Sequence, residues 1–90
     1  MDQIKIEVFS SPGCSKCQRA KEILRNMVAE LEENLIDWRE VNILEELNYS
    51  VKLGVLSTPA IAVNGKLVFT GLPSAKKLNA YLEQKISELN

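Results

Sequence analysis

The sequence contains no histidine and only two cysteines among its 90 residues. Without histidine, the chain cannot use a histidine general base, histidine metal ligands, or a histidine that activates serine or cysteine. Long apolar stretches are missing too, because uncharged runs such as residues 55–64 are much shorter than a membrane span of about 18 residues. The charges nearly balance, at 11 Lys and Arg against 12 Asp and Glu, which argues against binding to nucleic acid or an anionic membrane surface.

The length and composition indicate one small domain spanning residues 1–90. Hydrophobic residues make up 46% and charged residues 26%, close to the averages for globular proteins. Half of such a chain would not bury enough surface to fold alone. Residues 1–5 contain no basic stretch leading into an apolar one, so we expect a cytoplasmic protein, and we expect it to be a monomer.

The two cysteines, Cys14 and Cys17, form a C-x-x-C motif. A disulfide that closes so short a loop restricts little of the unfolded chain, so structural stapling explains the pair poorly. The motif therefore indicates redox or metal chemistry, and its structural context has to decide between them.

Hydrophobic periodicity predicts an α/β fold in the order β-α-β-α-β-β-α, with a central four-stranded mixed sheet flanked by helices. We expect the first strand pair to be parallel, with the second strand at a sheet edge, and the last two strands to form a hairpin at Asn64-Gly65. Gly54 is expected to end the second helix in a left-handed conformation, and Ser74 to cap the last helix. The predicted bounds are strands 4–9, 35–43, 60–63 and 66–70, and helices from 14 to about 33, from 44 to 53, and from 75 onward.

The first helix carries an apolar stripe that includes Cys17 and Leu24, whereas charged residues such as Lys21 and Glu32 fall off the stripe and are expected to be solvated. Cys14 falls at the N-terminus of this helix, where free N–H groups and the helix dipole favour a thiolate. Cys17 lies one turn further on, on the buried stripe. This placement predicts that Cys14 is the exposed nucleophile and Cys17 the shielded resolving thiol.

Three segments together resemble the thioredoxin/glutaredoxin superfamily: residues 12–17 (PGCSKC), residues 54–59 (GVLSTP) and the Asn64-Gly65 hairpin. The resemblance covers nearly the whole chain in the right order. The short length is similar to that of glutaredoxins and of the small thioredoxins of archaea and bacteria.

The resemblance implies a substrate-binding site made of Pro12, Gly13, Thr58, Pro59 and Gly71. By the family's pattern, Pro59 is a cis-proline that faces the active-site sulfurs. The backbone of Thr58 then pairs with a substrate peptide, as in strand addition, and Gly71 lies near the same groove.

The sequence also departs from the patterns of the superfamily. Gly13 stands where many thioredoxins have tryptophan, and Val8 stands where they have a buried carboxylate. The neighbouring Glu7 should face the opposite side of the sheet, since side chains alternate along a strand. Compared with glutaredoxins, Ser11 replaces a basic residue, and residues 70–74 lack the Gly-Gly-Cys-Asp segment.

The sequence therefore predicts a thiol–disulfide oxidoreductase that reduces protein disulfides through Cys14 and Cys17. Its expected partners are disulfide-bearing target proteins and a reductant of the thioredoxin reductase type or another flavin-linked reductant. We expect no cofactor or metal beyond its own disulfide. Three alternatives stay open: a glutathione-dependent glutaredoxin, a dimeric metal or iron–sulfur module that uses the C-x-x-C, and a non-catalytic interaction module with the same fold.

Overall fold

The computed structural model describes residues 3–31 and 33–89. Strands and helices follow the order β-α-β-α-β-β-α, and the predicted fold class is confirmed. The elements are β1 (Ile4–Ser10), α1 (Ser15–Glu30), β2 (Ile36–Asn42), α2 (Leu47–Leu53), β3 (Ala60–Val63), β4 (Lys66–Thr70) and α3 (Ala75–Ser87). A short 3-10 turn joins α1 to β2.

The four strands form one mixed sheet in the order β2-β1-β3-β4. β1 pairs with β2 in parallel, whereas β3 runs antiparallel to both β1 and β4. The hairpin turn between β3 and β4 places Asn64 at φ 52° and Gly65 at φ 80°, the left-handed conformations that an Asn-Gly turn supplies. The hairpin and the edge position of β2 are therefore both confirmed.

Alternation along β1 separates the core into two layers, because successive side chains point to opposite faces of the sheet. Ile6 and Val8 pack with α1 and α3 in a cluster that includes the fully buried Leu24 and Leu82. Phe9 points to the other face and packs in a second cluster on the α2 side of the sheet. The sheet is thus covered on both faces, and the end of β1 that leads into α1 is held firmly between the layers.

Helix α1 ends at Glu30, three residues earlier than the sequence predicts, and the N–H of Leu31 bonds to the Met27 carbonyl. The predicted apolar stripe is confirmed, since Cys17 and Leu24 are buried. The prediction that Lys21 is solvated is wrong, because its side chain is only 12% exposed. The prediction for Glu32 lies outside the described residues.

Helix α2 begins at Leu47 rather than at residue 44. The side-chain oxygen of Asn42 accepts a hydrogen bond from the N–H of Leu44 at 2.9 Å. The backbone carbonyl of Asn42 accepts from the N–H groups of Glu45 and Glu46. An asparagine that bonds the following backbone offers an alternative to the helix, so residues 43–46 form a turn.

The predicted helix ends at Gly54 and Ser74 are both confirmed. Gly54 ends α2 at φ 90° and ψ 21°, a left-handed conformation, and its N–H bonds back to the last turn of the helix. The hydroxyl oxygen of Ser74 accepts from the N–H of Lys77 at 3.1 Å and caps α3. The two caps thus mark the end of α2 and the start of α3, and the chain forms β3 and β4 between them.

Replacing Gly54 with alanine is expected to destabilise the protein by about 1 kcal/mol, because a left-handed conformation is costly for a residue with a Cβ. A Cβ at this position would meet nothing within 4 Å, so the cost is one of backbone conformation alone. Urea unfolding should show a lower midpoint with an unchanged slope. Gly54→Asn is the control, and its urea midpoint should fall less, since asparagine tolerates this conformation. Equal midpoints for Gly54→Ala and the wild type would contradict the left-handed cap at Gly54.

Candidate active site at the start of the first helix

The site is built around the junction between β1 and α1. Cys14 is the N-cap of α1 and has extended backbone angles, φ −91° and ψ 103°. Its sulfur accepts a hydrogen bond from the N–H of Cys17 at 3.1 Å. The sulfur therefore takes the place that a serine or aspartate oxygen usually has at a helix N-terminus, beside unsatisfied N–H groups and the positive end of the helix dipole.

Cys14 and Cys17 are joined by a disulfide bond, with their Cα atoms 5.3 Å apart. The two residues differ in their exposure. Cys14 is half-buried at the rim of the site, whereas Cys17 is 2% exposed and packs on the inner face of α1. Of the two sulfurs, Cys14 is the one that a large substrate can approach.

The segment that precedes β3 lies beside the disulfide. The hydroxyl oxygen of Thr58 is 3.9 Å from the Cys14 sulfur and 2.8 Å from the hydroxyl of Ser11. The Thr58–Pro59 peptide bond is cis, and Pro59 is fully buried. The tertiary structure thus brings residues 11–14 and 58–59 to one place, although more than 40 residues separate them in sequence.

The remaining predicted site residues border the same region. Pro12 and Gly13 are exposed in the turn before Cys14. Gly71 reaches the site from the end of β4, because its N–H donates to the Pro59 carbonyl at 2.8 Å. The five residues that the resemblance implied as substrate-binding are therefore gathered around the disulfide.

A cleft of about 340 Å³ opens beside the disulfide and is lined by residues of β1, α1 and β2. Both cysteines line it, together with Ser10, Lys21 and Glu40. One carboxylate oxygen of Glu40 accepts from the Ser10 hydroxyl at 2.6 Å and from the Lys21 ammonium at 2.9 Å. The Ser10 hydrogen bond and the Lys21 hydrogen bond lower the pKa of Glu40, so its carboxylate is ionised at neutral pH.

The sequence reasoning missed this charged group, although one signal for it was present. Lys21 follows Cys17 by four residues, and residues with this spacing share a helix face. Glu40 carried no such signal, because its role depends on the pairing of β2 with β1, which places it on the sheet face that packs against α1.

Glu7 lies on the opposite face of the sheet, as its position in β1 predicts. Its carboxylate accepts from the Tyr49 hydroxyl at 2.5 Å and from two nitrogens of Arg39. The hydrogen bond to Glu7 raises the pKa of Tyr49, and hydrogen bonds to Glu46 and Glu7 raise that of Arg39. Glu7 thus ties α2 to the sheet, away from the sulfurs.

In residues 3–31 and 33–89, no three or more Cys, Asp or Glu side chains gather so that they could hold a metal ion. Within that same described part of the chain, no helix is both long enough and apolar enough to cross a membrane.

A four-stranded mixed sheet that leads from its central strand into a helix capped by a C-x-x-C disulfide defines a thioredoxin-like protein. A family model described as a thioredoxin domain matches residues 4–83 of this chain. The chain therefore belongs to the thioredoxin family. Together with the Cys14–Cys17 disulfide, this membership makes it a thiol–disulfide oxidoreductase.

Archaeal relatives agree with this assignment. The thioredoxin of Methanocaldococcus jannaschii is 27% identical over 86 residues, which cover 96% of this chain and 100% of that protein. A probable thioredoxin of Methanothermobacter thermautotrophicus is 35% identical over 75 residues, which cover 83% of this chain and 87% of that protein.

Solved structures show the same fold at lower sequence identity. A mutant thioredoxin from Halobacterium salinarum is 16% identical and gives a TM-score of 0.78, covering 92% of this chain and 74% of that one. Thioredoxin-2 of the malaria parasite is also 16% identical and gives a TM-score of 0.79, covering 92% of this chain and 84% of that one.

The lowered pKa of Glu40 predicts a loss of stability in acid. The contribution of Glu40 to the free energy of unfolding is fully present above its ordinary pKa of 4.5. It is lost as the pH falls through the lower pKa of the folded state, because the Glu40 carboxylate binds a proton less readily in the folded than in the unfolded protein. The urea midpoint of the wild type should therefore fall more than that of Glu40→Gln between about pH 6 and pH 3. Parallel acid profiles for the two proteins would contradict this prediction.

Proposed function

We propose that this protein reduces disulfide bonds in other proteins, with Cys14 as the attacking thiol and Cys17 as the resolving thiol. The observation that carries the proposal is the unequal exposure of the two sulfurs: Cys14 lies at the rim and caps α1, whereas Cys17 is 2% exposed. A thiolate at a helix N-terminus has a lowered pKa and is the reactive form of cysteine. The exposed sulfur is therefore also the better activated one.

The reaction has two exchange steps. The thiolate of reduced Cys14 attacks one sulfur of the substrate disulfide, and the other substrate sulfur leaves with the electron pair as a thiolate. The Cys17 thiolate then attacks the Cys14 sulfur, and the second substrate sulfur leaves. The substrate has gained two electrons, and the chain has returned to the Cys14–Cys17 disulfide seen in the structure.

We propose that the substrate chain binds across the residues around the disulfide. Thr58 lies just before β3 begins, with its hydroxyl 3.9 Å from the Cys14 sulfur. This closeness supports pairing of the Thr58 backbone with an extended peptide whose disulfide faces Cys14. Pro12, Gly13 and Gly71 border the same place and would form the walls of the groove.

The electron donor that we propose is a flavin-linked reductase of the thioredoxin reductase type. Recognition of glutathione needs cationic and hydrogen-bonding groups for its carboxylates. At the position where glutaredoxins have a basic residue, Ser11 offers a hydroxyl that is already hydrogen-bonded to Thr58. After Gly71 the chain continues with Leu72 and Pro73, neither of which can bind the glutathione amine.

The first test uses single cysteine substitutions. Cys17→Ser should accumulate mixed disulfides with substrate proteins, because nothing resolves the bond made by Cys14. Cys14→Ser should accumulate almost none, because the buried Cys17 cannot reach a protein disulfide. Mass spectrometry of adducts from each variant measures the difference, and preferential alkylation of Cys14 in the reduced wild type at mildly acidic pH is the matching readout. More adducts on Cys17 than on Cys14 would reverse the assignment of roles.

A second test separates reduction by glutathione from reduction by a thioredoxin reductase. Insulin should be reduced efficiently with dithiothreitol as the electron source, and turnover should continue when a thioredoxin reductase replaces dithiothreitol. Glutathione with glutathione reductase should support only slow turnover, since Ser11, Leu72 and Pro73 stand where glutaredoxins have groups that bind glutathione. Rapid turnover with glutathione alone would move the protein to the glutaredoxins.

A further inference from the structure

The resolving thiol poses an electrostatic problem that the proposed function leaves open. Cys17 must act as a thiolate, yet it is 2% exposed, and burial disfavours the charged form of a thiol. The N-terminus of α1 is aimed at Cys14, whose sulfur already accepts the N–H of Cys17. A group other than the helix N-terminus is therefore needed to favour a negative charge on Cys17.

Lys21 is placed to meet this need. It follows Cys17 by four residues in α1, so both side chains lie on one helix face, with Cβ atoms about 5–6 Å apart in such a pair. Both line the cleft of about 340 Å³ beside the disulfide. The Lys21 side chain is only 12% exposed, so its charge is screened less than that of a lysine in open solvent.

Glu40 holds Lys21 in this position. Its carboxylate lies 2.9 Å from the Lys21 ammonium and is itself fixed by the hydroxyl of the buried Ser10 at 2.6 Å. Ser10 is the last residue of β1, so the anchor belongs to the rigid centre of the sheet. The lowered pKa of Glu40 keeps its carboxylate ionised throughout the neutral range.

Among the described residues, Lys21 and Glu40 are the charged ones that line the cleft of the disulfide. On β1 and β2, the charged side chains other than Glu40 line a separate cleft on the far face of the sheet; they are Lys5, Glu7, Asp37 and Arg39. On α3, Lys76 borders a third cleft with Met27 and Glu30. Lys16 is next to Cys17 in sequence but is exposed and does not line the cleft of the disulfide.

We propose that Lys21 and Glu40 are positioning residues for the resolving step: the Lys21 ammonium favours the Cys17 thiolate, and the Glu40 carboxylate both holds that ammonium and limits its effect. The inference rests on the proposed function, in which Cys17 attacks the mixed disulfide on Cys14. In that step the Cys17 proton leaves to water, the Cys17–Cys14 bond forms, and the substrate sulfur departs as a thiolate. The two charges of the pair should then act on Cys17 in opposite directions.

The test measures the pKa of the Cys17 thiol in proteins that carry Cys14→Ser. Serine is neutral at position 14, as is the Cys14 sulfur in a mixed disulfide, and Cys17 is then the single cysteine. Thiolate absorbance in the ultraviolet, followed against pH, reports the titration. Adding Lys21→Gln should raise the pKa of Cys17 by about one unit. Glu40→Gln keeps an oxygen that can accept from the Lys21 ammonium but removes the negative charge, so adding it should lower the Cys17 pKa by about half a unit or more.

Two control variants distinguish this electrostatic effect from a structural one. Lys21→Arg keeps the positive charge and should leave the Cys17 pKa within about 0.3 units of the parent, whereas Lys16→Gln removes an equal charge from an exposed neighbour and should shift it much less than Lys21→Gln does. A structural disturbance of the site would move the Lys21→Gln and Glu40→Gln proteins in the same direction. The proposal would be overturned if the Cys17 pKa moved in the same direction in Lys21→Gln and Glu40→Gln, or did not move in either. It would also be overturned if Lys16→Gln shifted the Cys17 pKa as much as Lys21→Gln does.

A kinetic measurement in the protein with both cysteines completes the test. Reaction of the reduced protein with an aromatic disulfide releases one coloured thiolate when Cys14 attacks and a second when Cys17 resolves. Lys21→Gln should slow the second release by about threefold per unit of pKa rise, because the lost thiolate is partly offset by greater nucleophilicity, and it should leave the first release nearly unchanged. If the wild type failed to reduce insulin while the Cys17 pKa shifted as expected in the variants, the proposed function alone would be contradicted. If the wild type reduced insulin but the Cys17 pKa did not shift in the variants, this inference alone would be contradicted.

Discussion

The hydrogen bond from the Cys17 N–H to the Cys14 sulfur organises the site, because it makes a cysteine the cap of α1. A cap is fixed by the helix that it begins, and this helix is fixed by a buried stripe on the sheet. The sulfur is therefore held where the helix N–H groups converge and where the chain turns out of β1. Both the exposure of Cys14 and the burial of Cys17 follow from this single junction.

The sheet supplies the surroundings that a C-x-x-C motif lacks by itself. Pairing of β1 with β3 carries the Thr58–Pro59 segment to the Cys14 sulfur, and pairing of β1 with β2 carries Glu40 to the cleft beside Cys17. The two sulfurs thus meet different environments: the Thr58 segment lies beside Cys14, and the Lys21–Glu40 ion pair lines the cleft beside Cys17. The proposed division of labour between an attacking and a resolving thiol rests on this asymmetry.

Family membership and site geometry contribute different parts of the functional argument. The match to the thioredoxin domain over residues 4–83, with the disulfide, shows the reaction class. The proposed choice of protein substrates over glutathione depends on particular groups, above all on Ser11, whose hydroxyl pairs with Thr58 where a cation would be needed. The carboxylate that faces the cysteines also differs in origin from the one expected of thioredoxins, since Val8 is apolar and Glu40 comes from the neighbouring strand.

The sequence by itself determined the order of elements, the hairpin at Asn64-Gly65, the left-handed cap at Gly54 and the position of the cysteines at the start of α1. Each of these depends on residues close together in the chain, through periodicity or backbone preference. Only the tertiary structure decided that Lys21 is partly buried and that Glu40 reaches it across 19 residues of sequence. Such pairings arise from strand register and packing between distant segments, which local pattern does not encode.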